Sequence, residues 1–156
     1  MTDAMTDAKT KTVEARVAIA SDHAGLELKL VLTQTLTRLG VGFVDLGTHT
    51  SASTDYPDYA HAVASGVAEA RFQMGVLVCG SGIGMSMAAN RHRGVRAALC
   101  TDSYSARMAR QHNDANVLCL GSRVVGSGLA ESILEAFLAA EFEGGRHQAR
   151  VAKIER

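Results

Sequence analysis

Short apolar runs alternate along the chain with longer segments in which apolar residues recur at helical spacing. Arg16-Val17-Ala18-Ile19-Ala20 predicts a first strand, which stops at Ser21-Asp22-His23-Ala24-Gly25. Leu26, Leu28, Leu30, Val31, Leu32, Leu36 and Leu39 then predict a helix ended by Gly40. Val41 to Asp45 predicts the second strand, and a polar loop from Gly47 through Thr54 leads to Asp55-Tyr56-Pro57. Pro57, the only proline, stands where a helix would begin, and Tyr59 to Phe72 predicts that helix. Val76 to Cys79 is a third strand, opening into Gly80-Ser81-Gly82-Ile83-Gly84, with a helix over Met85 to Arg91. Val95 to Cys100 predicts the fourth strand, and Thr101-Asp102-Ser103 offers N-cap chemistry for a helix over Tyr104 to Gln111. Asn116 to Leu120 is the fifth strand, and Leu129 to Ala140 an apolar helix. From Glu143 onward the tail is charged throughout.

Strand and helix alternating in this way predict an α/β fold: a three-layer α/β/α sandwich around a five-stranded, parallel, Rossmann-like sheet. Ligands in such sheets sit beyond the carboxyl ends of the strands. Asp22-His23, Cys79 with its glycines, Asp102 and Arg123 all follow predicted strand ends, so they are expected to converge on one crevice. Met1-Thr2-Asp3-Ala4 is repeated as Met5-Thr6-Asp7-Ala8, and residues 1–14 are read as a flexible leader without chemistry. Residues 15–156 form one domain, long enough to bury a core.

Lys plus Arg and Asp plus Glu both number 16, so the formal charge is zero. Without a basic excess, nonspecific binding of nucleic acid or of an anionic membrane is not expected. No apolar run is long enough to span a bilayer, and the N-terminal segment has no apolar signal core, so a cytoplasmic protein is expected. The odd count of three cysteines argues for thiols, not a disulfide framework, and no spacing suggests a metal site.

The Cys79 stretch carries the strongest candidate chemistry. Glycines at alternate positions let backbone N–H groups turn inward as a cradle for an anion, and the same positive end favours thiolate over thiol. A buried cysteine can equally be a small hydrophobe, which is how Cys100 and Cys119 are read, with Met85, Met87 and Met108 also assigned to packing. Asp22-His23 can be a helix cap beside a surface histidine, or a phosphate contact and proton carrier. Tyr56 can pack or contact a ligand through its hydroxyl. His112-Asn113 suits a helix C-terminus, and also acid–base work. Arg146 and Arg150 are four apart, a solvated pair or a two-armed phosphate clamp if the tail is helical.

Six segments occur in order: Ser21-Asp22-His23-Ala24-Gly25, Thr54-Asp55-Tyr56-Pro57, Cys79-Gly80-Ser81-Gly82-Ile83-Gly84, Arg110-Gln111-His112-Asn113-Asp114, Gly121-Ser122-Arg123-Val124-Val125 and Glu143-Gly144-Gly145-Arg146-His147. Together they resemble the type B ribose-5-phosphate isomerases, within the wider family of ribose and galactose phosphate isomerases, over residues 16–154. The resemblance implies interconversion of ribose 5-phosphate and ribulose 5-phosphate through an enediolate, with no metal and no organic cofactor. It also implies a homodimer or a tetramer of dimers whose active sites are shared between subunits. By the same resemblance Cys79 is the base that moves the proton between C2 and C1, and Gly80, Ser81, Gly82, Ile83 and Gly84 form the cradle for the enediolate. His112 opens the sugar ring with Asp22 nearby. His23, Arg123, Arg146 and Arg150 bind the phosphate, Asn113 a hydroxyl, and Tyr56 lines the sugar site. Some relatives use a glutamate base after the glycines; Met85 stands at that position here, which places this chain with the cysteine branch. A hexose 6-phosphate of allose or galactose type, or a tetrose phosphate, is the alternative substrate. A sugar-phosphate-binding module without catalysis is a further one, and a cysteine-dependent transferase or phosphatase another.

Overall fold

A computed structural model describes residues 15–155; the expected leader, residues 1–14, lies outside the described residues. Five strands, β1 (Val17–Ser21), β2 (Phe43–Asp45), β3 (Met74–Cys79), β4 (Ala97–Leu99) and β5 (Val117–Gly121), form one sheet in the order β2-β1-β3-β5-β4. Every pairing is parallel. Six helices accompany them: α1 (Leu26–Arg38), α2 (Tyr56–Ala68), α3 (Ile83–Ala89), α4 (Ser103–Asn113), α5 (Ser127–Ala139) and α6 (Arg146–Ala152). The predicted α/β/α sandwich is therefore the observed fold.

The central strands β1, β3 and β5 are buried along their whole length, which is why they read as continuous apolar runs. Alternate side chains serve opposite layers. Val17, Ile19, Val76, Val78, Leu118 and Leu120 pack with α1, α4 and α5, through residues such as Leu32, Ala109, Ile133 and Phe137. Ala18, Ala20, Leu77, Cys79 and Cys119 pack on the other side with Val63 of α2 and Met85 of α3.

From β1 the chain steps outward to β2 and then returns across β1 to β3. The strand order therefore reverses between β1 and β3, and the crevice of such a sheet opens at that switch point, beyond the strand carboxyl ends. The segments after β1 and β3 are Asp22-His23 and Gly80-Ser81-Gly82.

Several predicted boundaries change. The edge strands β2 and β4 are only three residues long, shorter than Val41 to Asp45 and Val95 to Cys100. An edge strand has a ladder on one side alone, so its ends are released sooner. α2 begins at Tyr56, before the expected Tyr59, because Pro57 fits within its first turn, where a missing N–H costs nothing. The charged tail is not featureless: after Gly144 and Gly145, both with positive φ, it forms α6 and buries His147. Lys29 is fully buried on α1, its ammonium 2.8 Å from Asp45 and donating also to the Thr48 carbonyl. That pairing ties α1 to the loop after β2, and helical periodicity gave no sign of it.

Candidate active site

β3 carries Cys79 to the carboxyl edge of the sheet, where the residue is 4% exposed. The chain then turns sharply. Gly82 has φ +77°, a left-handed conformation, and a Cβ there would fall 2.6 Å from a Leu99 methyl and 2.9 Å from the Leu120 backbone. This turn brings the Gly82 N–H back to donate to Cys79 Sγ at 3.1 Å. The Ile83 N–H donates to Ser81 Oγ at 3.2 Å. The turn thus aims one donor at the sulfur and holds the Ser81 hydroxyl against the start of α3. The N–H groups of Gly80 and Ser81 meet no acceptor among the described residues.

The end of β1 faces this turn. Asp22 is buried; its N–H donates to the Val78 carbonyl at 3.3 Å, and its Oδ1 accepts from the Gly25 N–H at 3.0 Å. Its carboxylate therefore caps the turn into α1 and still borders the cleft. The His23 N–H donates to Thr54 Oγ1 at 3.2 Å, and the Thr54 N–H donates back to His23 Nδ1 at 3.1 Å. Because Nδ1 is an acceptor, the neutral ring carries its proton on Nε2. This reciprocal pair orients a donor, and it comes from a loop residue to which no role was assigned in the sequence. Tyr56 lies against Gly84, where a Cβ would come within 2.5 Å of its ring. Arg123, after β5, extends across Gly80, one guanidinium nitrogen 3.1 Å from where a Cβ would stand. Ser122 Oγ donates to the Ala24 carbonyl at 2.8 Å and so joins the β5 and β1 loops.

Asp22, His23, Tyr56, Cys79, Gly80, Ser81, Ile83, Gly84 and Arg123 line one cleft of about 580 Å³, with Met87 and Val124 at its rim. Met87 is exposed there, contrary to its assignment to packing. Asp102 does not line the cleft. β4 is an edge strand, and both Asp102 carboxylate oxygens are engaged by Ser105, at 2.7 Å from its N–H and 2.9 Å from its hydroxyl. Those hydrogen bonds hold its carboxyl below the ordinary carboxylate range.

His112, Asn113, Arg146 and Arg150 are likewise absent from the cleft lining. They gather in a second group, where the end of α4 meets α6. His112 stacks on the buried His147 with centroids 4.2 Å apart and planes 11° from parallel. Its Nε2 lies 3.7 Å from a Glu143 carboxylate oxygen. One chain therefore holds the expected site residues as two separate groups.

The three cysteines differ in access. Cys100 and Cys119 are core residues, as expected, and burial pushes the Cys100 thiol up to about 11 and the Cys119 thiol higher still. Only Cys79 opens on the cleft. Iodoacetamide should therefore label Cys79 alone in the native protein at pH 8, and all three cysteines after unfolding. Peptide mass mapping before and after denaturation checks this, and native labelling of Cys119 would contradict it.

The ribose/galactose isomerase family model matches residues 17–154. The ribose-5-phosphate isomerase B of Escherichia coli is 50% identical over 139 residues, covering 89% of this chain and 93% of that protein. Among solved structures, the ribose-5-phosphate isomerase B of Clostridium thermocellum has a TM-score of 0.87 at 50% identity, covering 88% of this chain and 93% of that one. The Mycoplasma genitalium enzyme, solved with bound ribulose 5-phosphate, has a TM-score of 0.85 at 47% identity, covering 88% and 92%.

Proposed function

The chain belongs to the ribose/galactose isomerase family, and we propose that it interconverts ribose 5-phosphate and ribulose 5-phosphate as a type B ribose-5-phosphate isomerase. The observation that carries this reading is the Cys79 thiol at the strand switch point, in a cleft that also holds His23 and Arg123. The relative with ribulose 5-phosphate bound supports the choice of a pentose phosphate.

An aldose–ketose shift removes a weakly acidic proton beside a carbonyl and leaves an enediolate, with negative charge on oxygen. It needs a base on one side and preset donors on the other. In this reading Cys79 Sγ, as thiolate, takes the C2 proton of the opened aldose and returns it to C1. The Gly82 N–H steadies the sulfur when it is anionic. The free N–H groups of Gly80 and Ser81 face the developing oxyanion, with Ile83 and Gly84 completing the turn. Each such donor is worth on the order of 10²–10³ in rate. The chemistry calls for no metal and no organic cofactor. The His23 Nε2–H and the Arg123 guanidinium take the phosphate, distant binding energy that orients the carbon acid. Tyr56 walls the sugar side, and Asp22 stands near the ring oxygen.

The remaining roles require a second subunit. His112 as the acid–base group for ring opening, Asn113 as a hydroxyl contact, and Arg146 and Arg150 as phosphate contacts do not line the cleft of their own chain. Around that cleft, Tyr56, Ile83, Met87 and Val124 leave apolar surface exposed. A homodimer that covers this rim and lends the α4–α6 group to the neighbouring cleft unites the two halves; a tetramer of dimers would preserve the same pairing. Among the described residues no helix is long and apolar enough to cross a membrane, and a cytoplasmic place belongs to the same reading.

Coupled isomerase assays across tetrose, pentose and hexose phosphates, ranked by kcat/KM, test the substrate. Ribose 5-phosphate should exceed allose 6-phosphate and galactose 6-phosphate by about 10²-fold or more. A higher kcat/KM for a hexose phosphate would move the chain to the alternative branch.

A further inference from the structure

We propose that His147 is a positioning residue: its imidazole face, stacked on His112, sets the ring-opening group at the angle it needs, and so couples ring opening to the helix that carries the phosphate-binding arginines. The proposal rests on the role given above to His112.

His112 stands in the last turn of α4 and is partly exposed, a place where an imidazole has rotational freedom. Acid–base transfer to a ring oxygen demands a fixed nitrogen, since misplacement by about 1 Å can cost on the order of 10²-fold. In this chain the ring is confined on two sides. One face lies on His147 at 4.2 Å, with the planes 11° from parallel. The Nε2 edge faces Glu143 at 3.7 Å. Both partners are anchored: the Glu143 N–H donates to the Gln111 carbonyl at 3.0 Å, and the His147 N–H donates to the Gly144 carbonyl at 3.0 Å. His147 is the one buried residue of α6, a short helix otherwise held at the surface. Its contact with His112 is thus a principal means of fixing α6 against α4.

Burial is the first reason that His147 resists protonation, and the charges of His112, Arg146 and Arg150 add to it, against an opposing pull from Glu143. A neutral His147 suits the role. It offers a flat, polarisable face without repelling a cationic neighbour, and the proton traffic stays on His112. Arg146 immediately precedes His147, and Arg150 follows one turn later. One stack therefore locates both the ring-opening group and the pair of guanidinium groups.

The ligating atoms of His112, Glu143 and His147 all lie within 4.8 Å of one another, which raises the question of a metal site. Imidazole lone pairs lie in the ring plane. Two nearly parallel planes this far apart cannot direct their lone pairs to a common point, so the arrangement suits stacking better than chelation.

The test compares two reactions in the full-length enzyme. Ribose 5-phosphate is mostly a closed ring and must be opened. Ribulose 5-phosphate has its C5 oxygen esterified and is open-chain, so exchange of its C1 hydrogen with solvent deuterium needs no ring chemistry. His147→Leu keeps bulk but loses the flat face; His147→Phe keeps the face. We expect His147→Leu to lower kcat on ribose 5-phosphate about 10-fold while the rate of deuterium exchange at saturating ribulose 5-phosphate changes little. KM should rise alike in both reactions, because the same stack locates the two guanidinium groups, and His147→Phe should recover most of the loss. The His112 ring protons, shifted upfield by the stack in NMR spectra, should move toward their unstacked positions in His147→Leu and stay in His147→Phe. Equal behaviour of the two variants, or equal loss in both reactions, overturns the proposal. His112→Ala, assayed alongside, separates the role of His112 from that of His147. If its losses are equal in both reactions, the ring-opening role of His112 fails, whereas the NMR comparison still decides whether His147 orients that ring.

Discussion

Cys79→Ala should give a folded protein with isomerase activity lowered by at least about 10²–10⁴-fold, the usual contribution of a positioned acid–base group. The side chain contributes one sulfur to the core on the α2–α3 side of the sheet, and its loss should cost roughly 1 kcal/mol, a typical value for a single core change. The melting temperature should therefore fall by only a few degrees. The turn that holds the free N–H groups is fixed by Gly82 and by packing against Leu120 and Gly121, not by the thiol, so the cradle survives in the variant. His23 is held by Thr54 and is untouched. Substrate should still bind, and what disappears is proton transfer. Deuterium exchange into C1 of ribulose 5-phosphate reads that step directly. Exchange by the folded variant at more than about a tenth of the native rate would remove Cys79 from the role of base. A covalent adduct trapped on the native sulfur, with no solvent hydrogen entering substrate, would instead indicate the transferase or phosphatase reading.

The parts of the fold that could be read from the chain are those in which local pattern and tertiary environment agree. β1, β3 and β5 are buried on both faces and read as unbroken apolar runs. The leucine spacing of α1 marks its buried stripe, with Leu28, Leu32 and Leu36 in the core. Where the environment is one-sided, the pattern overruns: Val95 and Cys100 are buried and apolar, yet only Ala97–Leu99 joins the sheet. α6 leaves only the four-residue spacing of Arg146 and Arg150 as a trace in the sequence, for the opposite reason. Its single buried residue is a histidine, so seven residues carry no apolar period at all. Lys29 was hidden in the same way, because a charged residue on the buried face of α1 contradicts the pattern it belongs to, and Asp45 together with the Thr48 carbonyl makes that burial tolerable.

The site divided along similar lines. That a residue follows a strand end is visible in the sequence; which strands are neighbours is not. Asp22, Cys79 and Arg123 follow β1, β3 and β5, which are adjacent, and they meet. Asp102 follows β4, which β5 separates from β3, and its carboxylate goes to a helix cap instead. Thr54 fixes His23 from a loop without periodicity, through a contact spanning 31 residues, and no local rule could pair them. Glu143 and His147 bound the segment Glu143-Gly144-Gly145-Arg146-His147, yet their importance depends on α6 docking beside α4.

Mixing the two inactive variants Cys79→Ala and His112→Ala should restore activity, and this follows from the division of the site. In a two-fold symmetric dimer each cleft takes one set of groups from each subunit. Suppose Cys79 and His112 of one chain serve different clefts. A mixed dimer then places both lesions in the same cleft: the thiol is missing from the chain that lines it, and the imidazole from the chain that reaches into it. The other cleft is intact. With random exchange half the dimers are mixed, each with one good site of two, so activity on ribose 5-phosphate should recover to about a quarter of the native value. If His112 instead serves the cleft of its own chain, every site in the mixture carries one lesion and nothing recovers. The observed geometry favours recovery. His112 lies outside the lining of its own cleft, and that cleft is rimmed by exposed Tyr56, Ile83, Met87 and Val124, a surface suited to a second copy of the chain. Co-expression of differently tagged variants and purification through both tags leaves only mixed dimers, for which recovery should rise to about half of the native value, and assay against ring-closed ribose 5-phosphate would decide the matter. An inactive mixed dimer would return His112, Arg146 and Arg150 to roles on the surface of α4 and α6.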